Sequence, residues 1–145
     1  QGLYVDQMLK SIVNQNTNFD YEILIHDDAS SDDTQKIIMK YAKKYPQLIK
    51  PIFQKSNQYS NGINPNIAYN YPRVQGKYIA YCEGDDFWSS PDKLQKQYDA
   101  MEKNNTCALC VHDVQCVYQN GELARMKFPP IKMKEGIIPT NDICD

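Results

Sequence analysis

Two short segments of this chain concentrate carboxylates at the ends of predicted strands. The first covers residues 26–34 (HDDASSDDT), and the second covers residues 83–86 (EGDD). Carboxylates packed together repel one another, so a fold tolerates them mainly where a cation or hydrogen-bond donors lie between them. Mg²⁺ and Mn²⁺ prefer oxygen ligands, and Mg²⁺ is usually held by one or two carboxylates together with substrate phosphates. The pattern therefore predicts an acidic strand end that holds a divalent cation and a diphosphate.

The aspartates of the first segment have different alternatives. Asp32 and Asp33 lie where a helix should begin, and acids in a first helical turn stabilise the helix dipole by about 0.3–1 kcal/mol. We expect a structural role for this pair. Asp27 and Asp28 directly follow the predicted strand, where they could serve either a turn or a ligand.

Asp85 and Asp86 are the stronger candidates for ligand binding. They follow a strand of buried type, no helix begins at once after them, and the small Gly84 lets a ligand approach the backbone closely. The aromatic pair Phe87 and Trp88 comes next. One of these rings could stack on a sugar, or both could pack in the core beneath the acidic loop.

The spacing of apolar residues predicts the elements that position these segments. In the first half of the chain we expect a helix over 3–15, a strand over 21–25, a helix from Ser31 or Asp32 to Pro46, and a strand over 48–54. A loop over 55–66, a short helix over 68–73 and a strand over 77–82 should follow. The last predicted elements are a helix opened by Ser90 and Pro91 and a strand over 106–118, before a hairpin turn at Asn120-Gly121. This alternation predicts an α/β fold with a mostly parallel sheet flanked by helices. Ligands bind at the carboxyl ends of strands in such sheets.

Composition excludes several classes of protein. The chain has 145 residues, 41% of them hydrophobic and 23% charged, with a net charge of −2. This balance is ordinary for a globular protein and argues against a nucleic-acid partner, which would favour a basic stripe. The sequence contains neither a run of 18 apolar residues nor a recognisable signal peptide, so we expect a cytoplasmic location, with the inner face of the membrane as an option.

Three cysteines and a histidine lie close together in sequence at Cys107, Cys110, His112 and Cys116. Zinc requires about four ligands in a tetrahedron. Side chains alternate between faces along a strand, which would point Cys107 and Cys110 to opposite sides. Buried free thiols are therefore favoured over a zinc site.

Three segments, taken in order, resemble the motifs of family 2 glycosyltransferases with the GT-A fold. Residues 25–34 resemble V-D-D-G-S-x-D-G-T, residues 76–86 resemble G-x-Y-I-x-x-x-D-x-D-D, and residues 90–94 resemble the following P-x-K-L segment. The resemblance spans residues 1–118. It implies that residues 1–128 are the nucleotide-sugar-binding part of an incomplete GT-A domain, and that residues 129–145 begin the acceptor-side region, with both ends cut.

The resemblance also implies roles for particular carboxylates. Asp28 would accept a hydrogen bond from the nucleobase, and Asp85 would contact the ribose or assist the metal. Asp86 would bind the divalent cation, Mn²⁺ or Mg²⁺, that bridges the diphosphate. Asp27 and Glu83 complete the expected donor site, although Glu83 stands where the family has an aspartate.

Two departures from the family pattern leave questions open. Residues 62–68 (GINPNIA) replace the G-x-x-x-A-R-N segment, so the family's arginine is missing and Arg73 is an open candidate to replace it. No later segment matches the motif that carries the catalytic base, which is expected beyond residue 145. His112 and Asp113 are expected to lie within a strand and to serve packing or a hydrogen bond.

The implied reaction is transfer of a sugar from a nucleotide-diphosphate donor to a hydroxyl of a glycan or lipid-linked acceptor, with inversion, in polysaccharide or glycoconjugate synthesis. Two alternatives stay open. One is a GT-A-like nucleotidyltransferase, and the other is a non-catalytic module that binds a divalent cation or a nucleotide. An EF-hand loop is not present in the sequence.

Overall fold

The computed structural model describes residues 2–128. The chain forms two compact units, residues 1–96 and 97–145. The predicted acceptor-side region, residues 129–145, lies outside the described residues. Within the described part, no helix is long and apolar enough to cross a membrane.

The first unit is built from alternating helices and strands: α1 (Gly2–Val13), β1 (Ile23–Asp27), α2 (Thr34–Lys44) and β2 (Ile49–Phe53). Three short helical turns follow, at Tyr59–Asn61, Asn66–Asn70 and Tyr71–Arg73. Helix α3 (Lys93–Lys103) begins in this unit and ends in the second one. The predicted α/β fold with a parallel sheet flanked by helices is confirmed.

The core of the first unit lies between α1, α2 and the sheet. The buried side chains on α1 recur every three or four residues, which is the spacing that predicted this helix. The buried apolar set is Val5, Met8, Leu9, Ile12, Ile23, Ile38 and Ile49. Leu9 and Ile38 are the most fully enclosed, so they mark the contact between the two helices and the strands.

Strands β1 and β2 form a parallel pair in which Ile23 lies opposite Ile49 and Asp27 lies opposite Phe53. Gln54 extends the ladder by donating its backbone N–H to the Asp27 carbonyl at 2.9 Å. In this register the even-numbered residues of β2 bond to β1, so the missing N–H of Pro51 faces away from β1. The strand tolerates a proline here, because Pro51 removes no hydrogen bond between β1 and β2.

Strand β1 begins two residues later than predicted and ends two residues later, so His26 and Asp27 belong to the strand. The predicted strand over 77–82 is wrong, because no strand is assigned to this segment. Its apolar side chains Ile79 and Tyr81 are 50% and 58% exposed. Within residues 2–128, β1 pairs only with β2, so residues 77–82 have no strand partner in this sheet.

The second unit contains an antiparallel hairpin of β3 (Val114–Val117) and β4 (Leu123–Phe128). Its turn follows the Asn120-Gly121 prediction. Gly121 has φ 85°, a conformation that glycine adopts without steric cost. The Asn120 side chain accepts a hydrogen bond from the Glu122 amide at 3.0 Å. Of the predicted strand over 106–118, only Val114–Val117 is formed.

Candidate functional site

Asp27 closes strand β1 and is only 4% exposed. Its Oδ1 accepts hydrogen bonds from the Ser30 amide at 3.1 Å and from Gln35 Nε2 at 2.6 Å. Its Oδ2 is buried and has no hydrogen-bond partner within residues 2–128. These contacts hold the turn between β1 and α2, so the turn alternative for Asp27 has direct support. Contact with a sugar donor stays a prediction for this residue.

The turn after Asp28 contains a residue in an uncommon backbone conformation. Ala29 has φ 64°, in the left-handed region. A side chain with a Cβ is disfavoured there by about 1–2 kcal/mol. The glycosyltransferase motif that residues 25–34 resemble has glycine at this place. The strained turn positions the carboxylate of Asp28 beside the loop that follows β2.

Asp28 binds that loop through both carboxylate oxygens. Oδ1 accepts the Gln58 amide at 2.7 Å, and Oδ2 accepts the Tyr59 amide at 2.9 Å. Each carboxylate oxygen can accept more than one hydrogen bond, so Asp28 retains capacity for a ligand. These partners are not predictable from the sequence, because every residue type except proline carries a backbone amide N–H.

The start of α2 differs from the prediction in one detail. The helix begins at Thr34 and its N-cap is Asp33, so the predicted caps Ser31 and Asp32 lie one or two residues too early. Asp32 nevertheless accepts the Thr34 amide at 3.0 Å and the Gly2 amide at 3.0 Å. Asp33 pairs with the exposed Lys36 at 2.6 Å. Both acids therefore have structural contacts at this helix end.

His26 lies one residue before Asp27 and contacts two elements that follow β1. Its ring stacks on Tyr69, with centroids 5.2 Å apart and planes 11° apart. Gln54 Nε2 lies 3.2 Å from His26 Nε2 and can donate to it in the tautomer that carries its proton on Nδ1. Burial lowers the pKa of His26, although Asp28 and Asp27 oppose this. The neutral ring is therefore favoured in the fold.

Arg73 serves the sheet in this structure. Its guanidinium donates to the carbonyls of Lys50 at 2.8 Å and Ile25 at 3.3 Å, one on each strand. It also donates to Asn70 Oδ1 at 2.8 Å. The two carbonyl bonds fix the last helical turn to β1 and β2, and the third joins it to the preceding turn. Arg73 therefore has a structural role, whatever its relation to a diphosphate.

The second acidic segment presents its carboxylates to solvent. Glu83, Asp85 and Asp86 are all exposed. The Asp86 amide donates to the Glu83 carbonyl at 3.2 Å, which closes a turn around Gly84. Among residues 2–128, no hydrogen bond or ion pair is made to the carboxylates of these three residues. Their oxygens are therefore available to a ligand.

The residues on either side of this turn are anchored. Cys82 and Trp88 pack against the core of the first unit. The Trp88 amide donates to Ser11 Oγ at 3.1 Å, and Lys93 Nζ lies 4.1 Å from the centroid of the indole ring. These contacts support the packing alternative for Trp88. Phe87 is 37% exposed, so its ring is the more accessible of the two.

The Cys82 thiol reports the electrostatic field of the turn. Burial, with a further contribution from the charges of Asp86, Asp85 and Glu83, raises its pKa to about 11, against a lowering effect of Lys93. Three carboxylates that act on one thiol produce a local negative potential. A bound divalent cation would neutralise this potential.

The donor set fits a cation that completes its coordination with ligand oxygens. No group of three or more His, Cys, Asp or Glu side chains that could enclose a metal occurs in the described part of the chain. Mg²⁺ commonly takes one or two carboxylates and fills its other positions with water and phosphate oxygens. Asp85 and Asp86 can supply that number, so the acidic turn fits a cation–diphosphate unit better than a closed protein cage.

The cysteine-rich segment has no such arrangement in the structure. Cys107, Cys110 and Cys116 are free and half-buried, less enclosed than the sequence predicted. His112 is exposed, and its Nδ1 lies 2.9 Å from the Asp113 carbonyl oxygen. The prediction that His112 and Asp113 lie within a strand is wrong, because β3 begins only at Val114.

Comparison with known proteins gives the family. Residues 2–142 match the family described as Glycosyl transferase family 2. This chain belongs to that family. The parallel sheet and its flanking helices agree with part of the GT-A fold that the motifs implied.

Several curated proteins are similar to this chain. An uncharacterized protein of Mycobacterium tuberculosis is 36% identical over 137 residues, which is 94% of this chain and 38% of that protein. A cholesterol galactosyltransferase of Borreliella burgdorferi is 36% identical over 106 residues, 73% of this chain and 28% of that protein. A Bacillus subtilis protein with the provisional name teichuronic acid biosynthesis glycosyltransferase TuaG is 30% identical over 118 residues, 81% of this chain and 44% of that protein. The chain thus spans well under two thirds of their lengths.

Proposed function

We propose that this chain binds the sugar donor of a glycosyltransferase. The reaction moves a sugar from a nucleotide diphosphate to an acceptor hydroxyl, with assistance from a divalent cation and inversion at the anomeric carbon. Membership of family 2 supports sugar transfer. The names of TuaG and of the cholesterol galactosyltransferase support a glycan or a lipid-linked molecule as the acceptor and polysaccharide or glycoconjugate synthesis as the setting.

The observation that carries this proposal is the acidic turn at residues 83–86. Asp85 and Asp86 stand exposed, side by side, on a turn whose flanks are fixed to the core through Cys82 and Trp88. In the proposal, Asp86 holds Mn²⁺ or Mg²⁺, and Asp85 assists it or contacts the ribose. When bound, the cation stabilises the negative charge that develops on the leaving nucleotide diphosphate.

The nucleoside is placed by the other acidic strand end. Asp28 keeps unused acceptor capacity on both oxygens and takes a hydrogen bond from an N–H of the base. Asp27 fixes the turn that aims Asp28. Glu83 adds negative charge beside the metal-binding pair. The donor is thus recognised at its base by Asp28 and at its diphosphate through Asp86.

The proposal extends to the setting of the reaction. A nucleotide-sugar donor is expected in the cytoplasm, and a lipid-linked acceptor would place the protein at the inner face of the membrane. The family match supports a nucleotide-sugar donor. The net charge of −2 argues against a nucleic-acid partner.

Thermal unfolding with nucleotides tests the donor site. The chain is melted with UDP, GDP, CDP or dTDP, each with and without Mn²⁺, alongside Asp86→Asn. Asp20→Asn is the matched control, because Asp20 is exposed and loses the same charge. A ligand at about 100 times its Kd should stabilise the fold by roughly 2.7 kcal/mol, or several degrees for a domain of this size.

The proposal expects a rise in Tm that requires both Mn²⁺ and a nucleotide. This rise should persist in Asp20→Asn and disappear in Asp86→Asn. A rise that is equal in both variants would remove Asp86 from the site. No rise with any of the four nucleotides would contradict donor binding by this chain.

A further inference from the structure

Helix α2 carries a one-sided set of positive charges that the proposed function does not use. Residues 34–50 contain five lysines and no aspartate or glutamate. One of them, Lys50, is paired with Glu22 at 2.6 Å. The other four are exposed along the helix and are called the lysine face below: Lys36, Lys40, Lys43 and Lys44.

The lysine face carries an internal repulsion. Lys40 is four residues from both Lys36 and Lys44, and three residues from Lys43, and like charges at these helical spacings destabilise a helix. Lys44 and Lys43 lie in the last turn, where the helix dipole favours them. Lys36 lies near the opposite end, where only Asp33 compensates it, through an exposed ion pair. An anionic partner would relieve this repulsion.

The surface of the lysine face also has an apolar element. Gln35, Met39 and the four lysines line a shallow open depression. Met39 is 43% exposed although it lies among charged neighbours. Lysine stems and a thioether can sit against the apolar boundary of a lipid headgroup layer while the ammonium groups stay in water.

We propose that the lysine face docks this protein onto an anionic lipid bilayer. Lysine ammonium groups are compact charges without the planar fork of arginine, so they suit a disordered layer of headgroups more than a base edge. Residues 34–50 contain no arginine, and the two tyrosines of α2, Tyr41 and Tyr45 at its cap, are half-buried and unavailable for stacking on bases. The chain as a whole has a net charge of −2, so the lysine face is opposite in sign to the chain average.

Vesicle sedimentation tests this proposal without any need for enzymatic activity. The chain is mixed with phosphatidylcholine vesicles, or with vesicles in which roughly a third of the lipid is phosphatidylglycerol, at low and high salt. The face variant replaces all four lysines of the lysine face by glutamine. The control replaces four other exposed lysines by glutamine and so has the same net charge: Lys10, Lys55, Lys96 and Lys103.

The wild-type chain should sediment with the anionic vesicles, stay in solution with the neutral ones, and dissociate at high salt. Each lysine near an anionic surface contributes roughly a fivefold change in partitioning, so the face variant should bind at least about 100-fold more weakly. The control should change by less than about fivefold. The Tm of the face variant should stay close to that of the wild type, since the removed repulsion offsets the lost dipole contacts of Lys43 and Lys44.

Three outcomes would overturn the proposal. The first is no sedimentation of the wild type with anionic vesicles, and the second is an equal loss of binding in the control. The third is displacement of the protein from the vesicles by a short duplex DNA whose phosphate concentration is below the concentration of anionic lipid. That result would assign the lysine face to nucleic acid. None of these results depends on whether a nucleotide binds at the acidic turn.

Discussion

Substitution of Asp28 by asparagine tests how the first acidic segment is built. In the structure each oxygen of this carboxylate accepts one backbone amide, from Gln58 at 2.7 Å and from Tyr59 at 2.9 Å. An asparagine can accept at its oxygen only. Its amide nitrogen would face a second N–H donor, so one hydrogen bond is lost and the other loses its charge.

The size of the effect follows from these two bonds. Hydrogen bonds to charged groups contribute about 1.5–3 kcal/mol each, and neutral ones about 1 kcal/mol. Because Tyr59 is 73% exposed, its amide can bond to water, which favours the low end of the range. The loss of one bond and the weakening of the other give a cost of about 2 kcal/mol. For a domain of this size that is a fall in Tm of roughly 6–8 °C.

Two assays separate global from local effects. Urea denaturation followed by circular dichroism gives the free energy of unfolding for Asp28→Asn and for the control Asp20→Asn. Amide hydrogen exchange reports opening of the loop alone, for which about 2 kcal/mol corresponds to roughly 30-fold less protection at Gln58 and Tyr59. If neither stability nor protection changes in Asp28→Asn, the carboxylate does not hold this loop and the reasoning fails.

Two further predictions concern the same strand end. Ala29→Gly should raise the free energy of unfolding by about 0.5–1 kcal/mol. The substitution relieves about 1–2 kcal/mol of left-handed strain, whereas the greater entropy of the unfolded glycine chain costs only roughly 0.4–1 kcal/mol. A lower free energy of unfolding in urea denaturation would contradict the presence of this strain. Burial lowers the pKa of His26 in the fold, so the unfolded chain binds a proton before the folded one as pH falls. The contribution of His26 to stability is therefore present above the unfolded value of 6.5 and is lost as pH falls from there through the lower folded pKa. Over about pH 7.5 to 5, the wild type should lose stability relative to His26→Gln, and parallel curves would show that His26 does not titrate in this way.

Local patterns in the sequence predicted α1, α2, β1 and β2 to within a few residues. The helical spacing of Val5, Leu9 and Ile12 leads directly to α1. Ser90 and Pro91 predicted the start of α3 two residues too early, because that helix begins at Lys93. These elements depend on contacts and caps within a few residues or on one apolar stripe. The Asn120-Gly121 turn was equally predictable, because it depends on the backbone freedom of one glycine.

The errors arose where structure depends on distant partners. Residues 77–82 have the composition of a strand, but a strand also needs a neighbour that bonds to its backbone, and composition does not show whether one is present. The end of β1 was placed too early because pairing with β2 carries the strand through Asp27.

The acidic residues show the same limit at the candidate site. Residue type and position were enough to single out Asp28 and Asp86 as candidates for ligand binding, which stays a prediction. They did not reveal that the Asp28 carboxylate accepts two loop amides, while the Asp86 carboxylate is exposed and accepts no hydrogen bond within residues 2–128. They also did not reveal that Arg73 is bound by carbonyls from both strands.

Paramagnetic broadening tests most directly whether the acidic turn holds a cation together with a nucleoside diphosphate. Mn²⁺ is titrated into ¹⁵N-labelled protein with and without UDP, GDP, CDP or dTDP, and the amide signals of residues 82–88 are followed. The account predicts strong broadening of these signals when Mn²⁺ and a nucleotide are both present, with little effect of either alone and none in Asp86→Asn. Broadening centred on another segment, or unchanged broadening in Asp86→Asn, would contradict it.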